Sequence, residues 1–225
     1  MSSIYILIPA YNEEKVIGSV ISDLKSHGYN NILIVDDGSK DKTVEITEQA
    51  GVEVLKHLIN RGQGASLQTG FQYLAREYSP DVIVTFDADG QHQTKDIASL
   101  IQPILNNTAD IVLGSRFLDT KCHIPTTRRI ILRLGILFTN TISQIRLTDT
   151  HNGLRALNSK AYNSIIITHR GMEHASDIID EITKNKLRYK EVPVTITYSE
   201  YSKNKGQKNL DFIKLGIKIL INKLK

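Results

Sequence analysis

Apolar runs of strand length alternate with segments of helical periodicity through the first half of the chain. Ile17, Val20, Ile21 and Leu24 follow helical spacing, which predicts an amphipathic helix that ends near Gly28. Strands are predicted in the runs IYILIP, NILIV, VEVL, DVIVTF and DIVLGSR, which begin at residues 4, 31, 52, 81 and 110. Continuously apolar strands between amphipathic helices favour a parallel sheet covered on both faces. The pattern predicts a single α/β domain with a Rossmann-like, mostly parallel central sheet.

Composition places the chain among ordinary globular proteins. Its 225 residues are 40% hydrophobic and 23% charged, which suits one domain with a good core and argues against extended disorder. A single cysteine, Cys122, excludes an intramolecular disulfide and suits a reducing compartment. The N-terminus lacks the basic region of a signal peptide, and no apolar stretch approaches the ~20 residues of a membrane-spanning helix.

Charge is distributed unevenly along the chain. The net charge of +4 is modest, and we expect no nucleic-acid partner. Acidic motifs lie mainly in the first half, whereas the last quarter is rich in Lys. This asymmetry favours an anionic partner for the C-terminal part, although a solvated lysine-rich surface is at least as common a cause.

Acidic residues follow several of the predicted strands. PAYNEE follows the first strand, DDGS the second, DADG the fourth and GSR the fifth. In a parallel sheet these segments meet at the carboxyl edge, where ligands bind. Asp and Gly also favour turns, so either acidic pair alone is equally well explained as a turn. Three acidic strand ends at one edge together predict a binding site.

Asp87 and Asp89 form the densest of these acidic groups. They stand two positions apart, so both side chains point the same way if the strand persists. Two carboxylates about 5 Å apart repel by roughly 3 kcal/mol at an effective dielectric constant near 20. A shared proton or a divalent cation would relieve this repulsion. Oxygen ligands, with Gln91 or His92 nearby, suit Mg²⁺ or Mn²⁺ better than Zn²⁺, and such an ion usually completes its shell with water and substrate phosphates.

The ordered set of motifs carries a specific resemblance. IPAYNEE, VDDGSKDKT, NRGQGASLQTG, DADGQH, GSRF and TDTHNGLRA occur in the order and approximate spacing seen in family 2 glycosyltransferases with the GT-A fold. The sequence most resembles the branch of dolichol-phosphate mannose synthase and bacterial polyprenyl-phosphate sugar transferases, over roughly residues 3–200. This resemblance implies a divalent-metal-dependent, inverting transfer of a sugar from a nucleoside diphosphate donor, with UDP or GDP as the nucleotide.

The resemblance assigns donor-site roles residue by residue. Asp37 would accept a hydrogen bond from the base, while Asp36 would assist or stabilise the turn. The catalytic metal would be held on the diphosphate by Asp87, Asp89 and Gln91, and it would offset charge on the leaving group. The remaining donor-site residues would be Pro9, Ala10, Tyr11, Asn12, Glu13, Gly62, Gln63, Gly64 and Ala88.

The acceptor determines which further groups are needed. Arg116, Arg128, Arg129 and Arg155 match or neighbour the arginines that bind phosphate in the polyprenyl-phosphate branch. A lipid phosphate is already an anion and needs little help from a general base. A sugar hydroxyl on a glycan or glycolipid would need a carboxylate to take its proton, and Asp177 occupies the family's acidic position.

Other interpretations of these residues stay open at this point. Glu173 is a neighbouring alternative to Asp177, which could also be a helix-surface acid near the N-terminal dipole. We expect His92 and His174 to be hydrogen-bonding or packing residues rather than ligands. Asp149 would orient an arginine or form a turn.

Two basic, apolar stretches raise the question of a membrane. RRIILRLGILF at residues 128–138 suits a core helix or an interfacial helix. The chain divides into a catalytic domain at 1–200 and a basic amphipathic helix at 201–225, which would lie on an anionic membrane or pack on the domain. We expect a cytoplasmic protein of cell-envelope glycan synthesis, with peripheral attachment to the membrane or to a membrane-protein partner.

Competing functions are distinguished by the residues after the first strand. A nucleotidyltransferase or a dinucleotide-dependent oxidoreductase would carry a glycine-rich loop there, and PAYNEE is not one. A module that binds a nucleotide sugar without catalysis remains an alternative.

Overall fold

The computed structural model of the chain describes residues 2–118, 133, 135–137, 139–141, 143–171 and 173–197. Cys122, Arg128, Arg129 and the predicted C-terminal helix at 201–225 lie outside the described residues. No helix within the described ranges has both the length and the apolar character needed to cross a bilayer.

A seven-stranded, mostly parallel sheet forms the centre of the described domain, with strand order β3-β2-β1-β4-β6-β5-β7. Strand β6 pairs antiparallel with both of its neighbours, and the other pairings are parallel. The strands are β1 (Ile4–Ala10), β2 (Ile32–Asp36), β3 (Glu53–Lys56), β4 (Val82–Thr85), β5 (Ile111–Ser115), β6 (Arg155–Asn158) and β7 (Tyr189–Pro193).

Helices cover both faces of this sheet. They are α1 (Ile17–Ser26), α2 (Thr43–Gln49), α3 (Gln63–Glu77), α4 (Ile97–Leu105), α5 (Ser159–Ser164) and α6 (His174–Lys184), with a 3₁₀ turn at Thr94–Asp96. Residues 133, 135–137, 139–141 and 143 are also helical. The part of the predicted 128–138 stretch that is described is therefore helix.

Alternation along the strands explains why both faces are apolar. Ile6 and Ile8 of β1 lie in one core with the apolar stripes of α1 and α4. Leu7, between them, lies in a second core with α3, α5 and α6. Successive strand residues point to opposite faces, so a strand buried on both sides must be apolar throughout. The continuous runs in the sequence reflect this double burial.

The α/β prediction is confirmed, with two differences in detail. Strands β6 and β7 were not predicted. In the case of β6, Arg155–Asn158 was interpreted only as part of a binding motif. Strand β4 ends at Thr85, so Asp87 and Asp89 lie in the turn beyond it rather than on a continuing strand. The directions of the two acidic side chains are therefore set by the turn and not by strand alternation.

Candidate active site

The turn after β4 places two acids beside several polar side chains. The Asp87 carboxylate accepts hydrogen bonds from Gln63 Nε2 at 3.0 Å and from His92 Nε2 at 2.9 Å. Gln91 donates both its backbone N–H and its side-chain Nε2 to Asp89. About a third of the Asp87 side chain, 30%, stays exposed. The acids are thus held in place by the protein while remaining open to a ligand.

The electrostatic environment separates the two acids. Burial acts to raise the pKa of Asp87, but His92, Arg155 and His174 outweigh it, and the net pKa lies below its ordinary value. Burial first, and then the charge of Asp87, raise the pKa of Asp89. The charge of Asp87 therefore makes ionisation of Asp89 less favourable than that of an isolated aspartate. A cation between them would favour ionisation of both.

The donor set of this turn fits a hard divalent cation. Two carboxylates are present, and the Gln91 amide donates through its nitrogen to Asp89, which leaves its oxygen as a further ligand atom. Within the described ranges, no three His, Cys, Asp or Glu side chains gather as a metal group. Two carboxylates that rely on water and phosphate oxygens to complete the shell suit Mg²⁺ or Mn²⁺ and not Zn²⁺.

The turn after β1 is joined to the turn after β2. The backbone N–H of Asn12 donates to Ser39 Oγ at 2.9 Å, and that of Glu13 donates to Thr43 Oγ1 at 2.7 Å. Tyr11 is 40% exposed beside them. Pro9 and Ala10 are the last, buried residues of β1. The structure therefore brings the predicted nucleoside residues 9–13 to the carboxyl edge of the sheet.

The two acids of VDDGS have different partners. Asp36 Oδ2 accepts the N–H groups of Gly38 and Ser39, so this residue stabilises the turn. Among the described residues, no donor reaches its buried Oδ1. Asp37 accepts hydrogen bonds from His57 Nδ1 and from the backbone N–H groups of residues 61 and 62. Asp37 thus links β2 to the glycine loop, and its predicted contact with the base stays a prediction.

The glycine loop packs closely against a second loop. A Cβ on Gly62 would lie 2.2 Å from the Arg170 carbonyl oxygen, and one on Gly64 would lie 2.1 Å from that of His169. Gly62 also has φ +93°, a conformation that favours glycine. In the described structure, the 168–171 loop is the segment that approaches the backbone of these two glycines. Gln63 between them reaches Asp87, which places the loop beside the acidic turn.

Asp177 is already engaged by four donors. It accepts hydrogen bonds from the backbone N–H and Oγ1 of Thr168 and from the backbone N–H and Nδ1 of His169. Only 9% of the residue is exposed. Such a carboxylate holds the 168–171 loop in place and is poorly suited to take a proton from a substrate. Glu173, the alternative, is also buried.

The predicted arginines differ in what they contact. Arg116 is buried and pairs with Asp149, with Nε 2.6 Å from Oδ2 and Nη2 3.3 Å from Oδ1. This confirms that Asp149 orients an arginine. Arg155 is 3% exposed, and its Nη1 has no partner among the described residues. Of the described predicted arginines, Arg155 is the one that has an unpaired group.

The expectation that His92 would be a hydrogen-bonding or packing residue is correct, because it bonds to Asp87. Two other features of the site were missed in the sequence. A Cβ on Gly153 would lie 2.3 Å from Asp87 Oδ2, so this glycine is needed for the turn to fit. The Asn152 Nδ2 is buried without a partner among the described residues. The only sequence signal for the last two was their place in NGLR.

Comparison with known proteins agrees with this geometry. The model of Glycosyl transferase family 2 matches residues 5–166, and the chain belongs to that family. It is therefore a glycosyltransferase, and the sheet with its acidic turn is the GT-A fold.

Two relatives and one solved structure are informative. The chain is 37% identical over 243 residues to a UDP-N-acetylglucosamine–dolichyl-phosphate N-acetylglucosaminyltransferase of Methanococcus voltae, covering 98% of this chain and 96% of that one. It is 30% identical over 211 residues to an undecaprenyl-phosphate mannosyltransferase of Micrococcus luteus, covering 88% and 85%. Glucosyl-3-phosphoglycerate synthase of Mycobacterium tuberculosis, solved with Mn²⁺, UDP and glucosyl-3-phosphoglycerate, is similar in fold with TM-score 0.73, 17% identity and coverage of 97% and 77%.

Proposed function

We propose that this glycosyltransferase moves a sugar, with inversion, from a UDP- or GDP-sugar to the phosphate of a polyprenyl lipid. The observation that carries the proposal is the pair of acids Asp87 and Asp89 in the turn after β4, where the protein fixes both carboxylates and leaves 30% of the Asp87 side chain exposed. Like charges held this way suit a cation bound to a diphosphate.

Asp87 and Asp89, with the amide oxygen of Gln91, would hold Mg²⁺ or Mn²⁺. When bound, such an ion offsets the negative charge that develops on the departing nucleoside diphosphate. Gln63 and His92 keep the Asp87 carboxylate in a fixed orientation. The similar fold of the Mycobacterium tuberculosis enzyme, whose structure contains Mn²⁺ and UDP, supports this assignment.

The acceptor is inferred from two independent observations. Both relatives named above act, by name, with dolichyl or undecaprenyl phosphate. In this chain, the four hydrogen bonds to Asp177 occupy the carboxylate that a hydroxyl acceptor would need as its base. A phosphate acceptor needs no such base, because its oxygen is already an anion.

The reaction then balances without proton transfer. A phosphate oxygen of the acceptor forms a bond to the anomeric carbon of the sugar. The bond from that carbon to the diphosphate oxygen breaks, and the electron pair leaves with the nucleoside diphosphate. We place this reaction at the cytoplasmic surface of a membrane, where a polyprenyl phosphate presents its headgroup.

A panel of UDP- and GDP-sugars tests the proposal. Each donor is incubated with Mn²⁺ or Mg²⁺ and farnesyl phosphate, and release of nucleoside diphosphate is measured together with the glycosylated lipid. We expect one donor to give product that EDTA abolishes. Release of nucleoside diphosphate with a glycan acceptor, and none with any polyprenyl phosphate, would establish the hydroxyl alternative instead.

A further inference from the structure

Arg155 is a buried cation that is incompletely paired. It is the first residue of β6 and pairs directly with Thr85 of β4. Thr85 precedes Asp87 by two residues. Asp87 and Asp149 lie within electrostatic range, yet burial lowers the pKa of Arg155 to about 10 in spite of both carboxylates. No described residue accepts a hydrogen bond from its buried Nη1. Buried donors in native proteins normally bond to protein, ordered water or a ligand, so this donor is available to a bound group.

Asn152 is a second donor of the same kind, three residues earlier. Its Oδ1 accepts the backbone N–H of Leu154 at 2.9 Å. Since an N–H can bond only to the oxygen end of the amide, this contact fixes the orientation of the side chain. The nitrogen Nδ2 is therefore directed elsewhere, and no described residue accepts from it. Asn152 is 4% exposed, so bulk water does not satisfy this group either.

Gly153 connects both donors to the acidic turn. A Cβ at this position would lie 2.3 Å from Asp87 Oδ2, so the backbone of the 152–155 turn lies against the carboxylate. Both unpaired groups are donors, and one of them is charged. An anion with several oxygens would accept from both donors and also offset the charge of Arg155, which a neutral acceptor would not do and a cation would oppose.

We propose that Asn152 and Arg155 form a cradle for the phosphate oxygens of the acceptor. This inference rests on the proposed function and adds Asn152 as a residue that binds the acceptor. An ion held by Asp87 and Asp89 would neutralise the diphosphate of the donor. The acceptor phosphate is a second anion that must reach the same anomeric carbon past those carboxylates, so it requires positive charge of its own. Of the two predicted acceptor arginines that the structure describes, Arg116 is paired with Asp149, and Arg155 supplies positive charge from the cradle.

The cradle is tested with Asn152→Ala, Arg155→Met and Arg155→Lys. Asn163→Ala and Arg146→Met, which alter exposed residues, serve as matched controls. We expect the KM for farnesyl phosphate to rise by about 10- to 100-fold in Asn152→Ala and Arg155→Met, as is usual for a lost hydrogen bond to a charged group. The Kd of UDP or GDP with Mn²⁺ should change by a smaller factor than this KM, because the cradle contacts the acceptor and not the nucleotide. Arg155→Lys should recover part of the loss, because it keeps the charge without the planar fork.

A binding measurement separates this inference from the proposed function. Farnesyl phosphate and inorganic phosphate should each raise the unfolding temperature of the wild type and of Arg146→Met, but not that of Arg155→Met. This result would support the cradle even if no donor gave turnover. An equal rise in Arg155→Met would overturn the cradle even if transfer to farnesyl phosphate were observed. A parallel loss of nucleotide affinity in Asn152→Ala and Arg155→Met would also overturn it, since the cradle would then serve the donor.

Discussion

The guanidinium of Arg116 and the carboxylate of Asp149 form a buried, two-point ion pair, with Nε 2.6 Å from Oδ2. The pair joins the end of β5 to the segment that leads into β6, and Asp149 also accepts the backbone N–H of Arg116. The backbone N–H of Asp149 donates in turn to Glu191. The arginine is therefore part of the framework that supports the candidate site.

Breaking this pair should destabilise the protein strongly. Asp149→Leu alone leaves a buried guanidinium without its carboxylate, and we expect a loss of about 3–5 kcal/mol in the free energy of unfolding. The double variant Arg116→Met with Asp149→Leu should lose less than the sum of the two single variants. Denaturant unfolding of all four proteins gives the coupling energy directly. Additive losses would show that the pair contributes little to stability.

Asp177→Asn tests whether this carboxylate is a general base. The variant keeps one acceptor oxygen and turns the other into an NH₂ donor, so part of the four-bond set is lost and the free energy of unfolding should fall by about 1–3 kcal/mol. Because no base is required, kcat with farnesyl phosphate should stay within about tenfold of the wild type, well short of the 10²–10⁴-fold typical of a lost general base. Steady-state kinetics at a temperature where both proteins are folded gives the answer. A loss of several thousand-fold with unchanged stability would assign Asp177 the chemical role instead.

Gly153→Ala should damage the site while sparing the fold. The added methyl group would meet Asp87 Oδ2 at 2.3 Å, so the carboxylate must move. We expect at least a 100-fold fall in kcat/KM, since a displacement of about 1 Å at a reacting centre has that effect. Gly135→Ala is the control, because its Cβ would make only an ordinary 3.7 Å contact with His151. Equal activity in the two variants would show that Asp87 has room to adjust without cost.

Asp110 gives the protein a defined response to acid. Hydrogen bonds from Arg188 are the main cause of a strongly lowered pKa, and Asn158 and Lys160 contribute as well. A carboxyl group with a lowered pKa in the folded state stabilises the protein above its unfolded value of 3.8, and this contribution is lost as pH falls through the folded value. We therefore expect the unfolding free energy of the wild type to fall between pH 4 and pH 2 (about the window of this titration). Asp110→Asn should be less stable at pH 7. Its unfolding free energy, measured by urea titration, should also fall less steeply with pH over the acid range. A slope identical to that of the wild type would count against this assignment.

Much of the fold could be predicted from the sequence because β1, β2 and β4 are buried on both sides and must be apolar throughout. Strand β6 could not, since Arg155–Asn158 is short and begins with a charged residue. The acidic turn was recognisable as part of a site because the acids after β1 and β2 accompany Asp87 and Asp89 at the same sheet edge. Its support was not, because His92, Gln63 and Gly153 reach Asp87 through tertiary contacts that local pattern does not encode. The same reason explains why the partners of Asp177 became visible only in the structure.

Calorimetric titration of UDP and GDP tests the central role of Asp87 and Asp89 most directly. The titrations are made on the wild type and on Asp89→Asn, each with Mn²⁺ and with EDTA. Asp89→Asn keeps the shape of the side chain and removes the charge that Asp87 disfavours, so the protein should stay folded. We predict that one nucleotide binds the wild type only when Mn²⁺ is present and that Asp89→Asn loses at least about 100-fold in affinity, because ligands of a metal contribute on that scale. Equal binding of the nucleotide in EDTA, or by Asp89→Asn, would contradict the account.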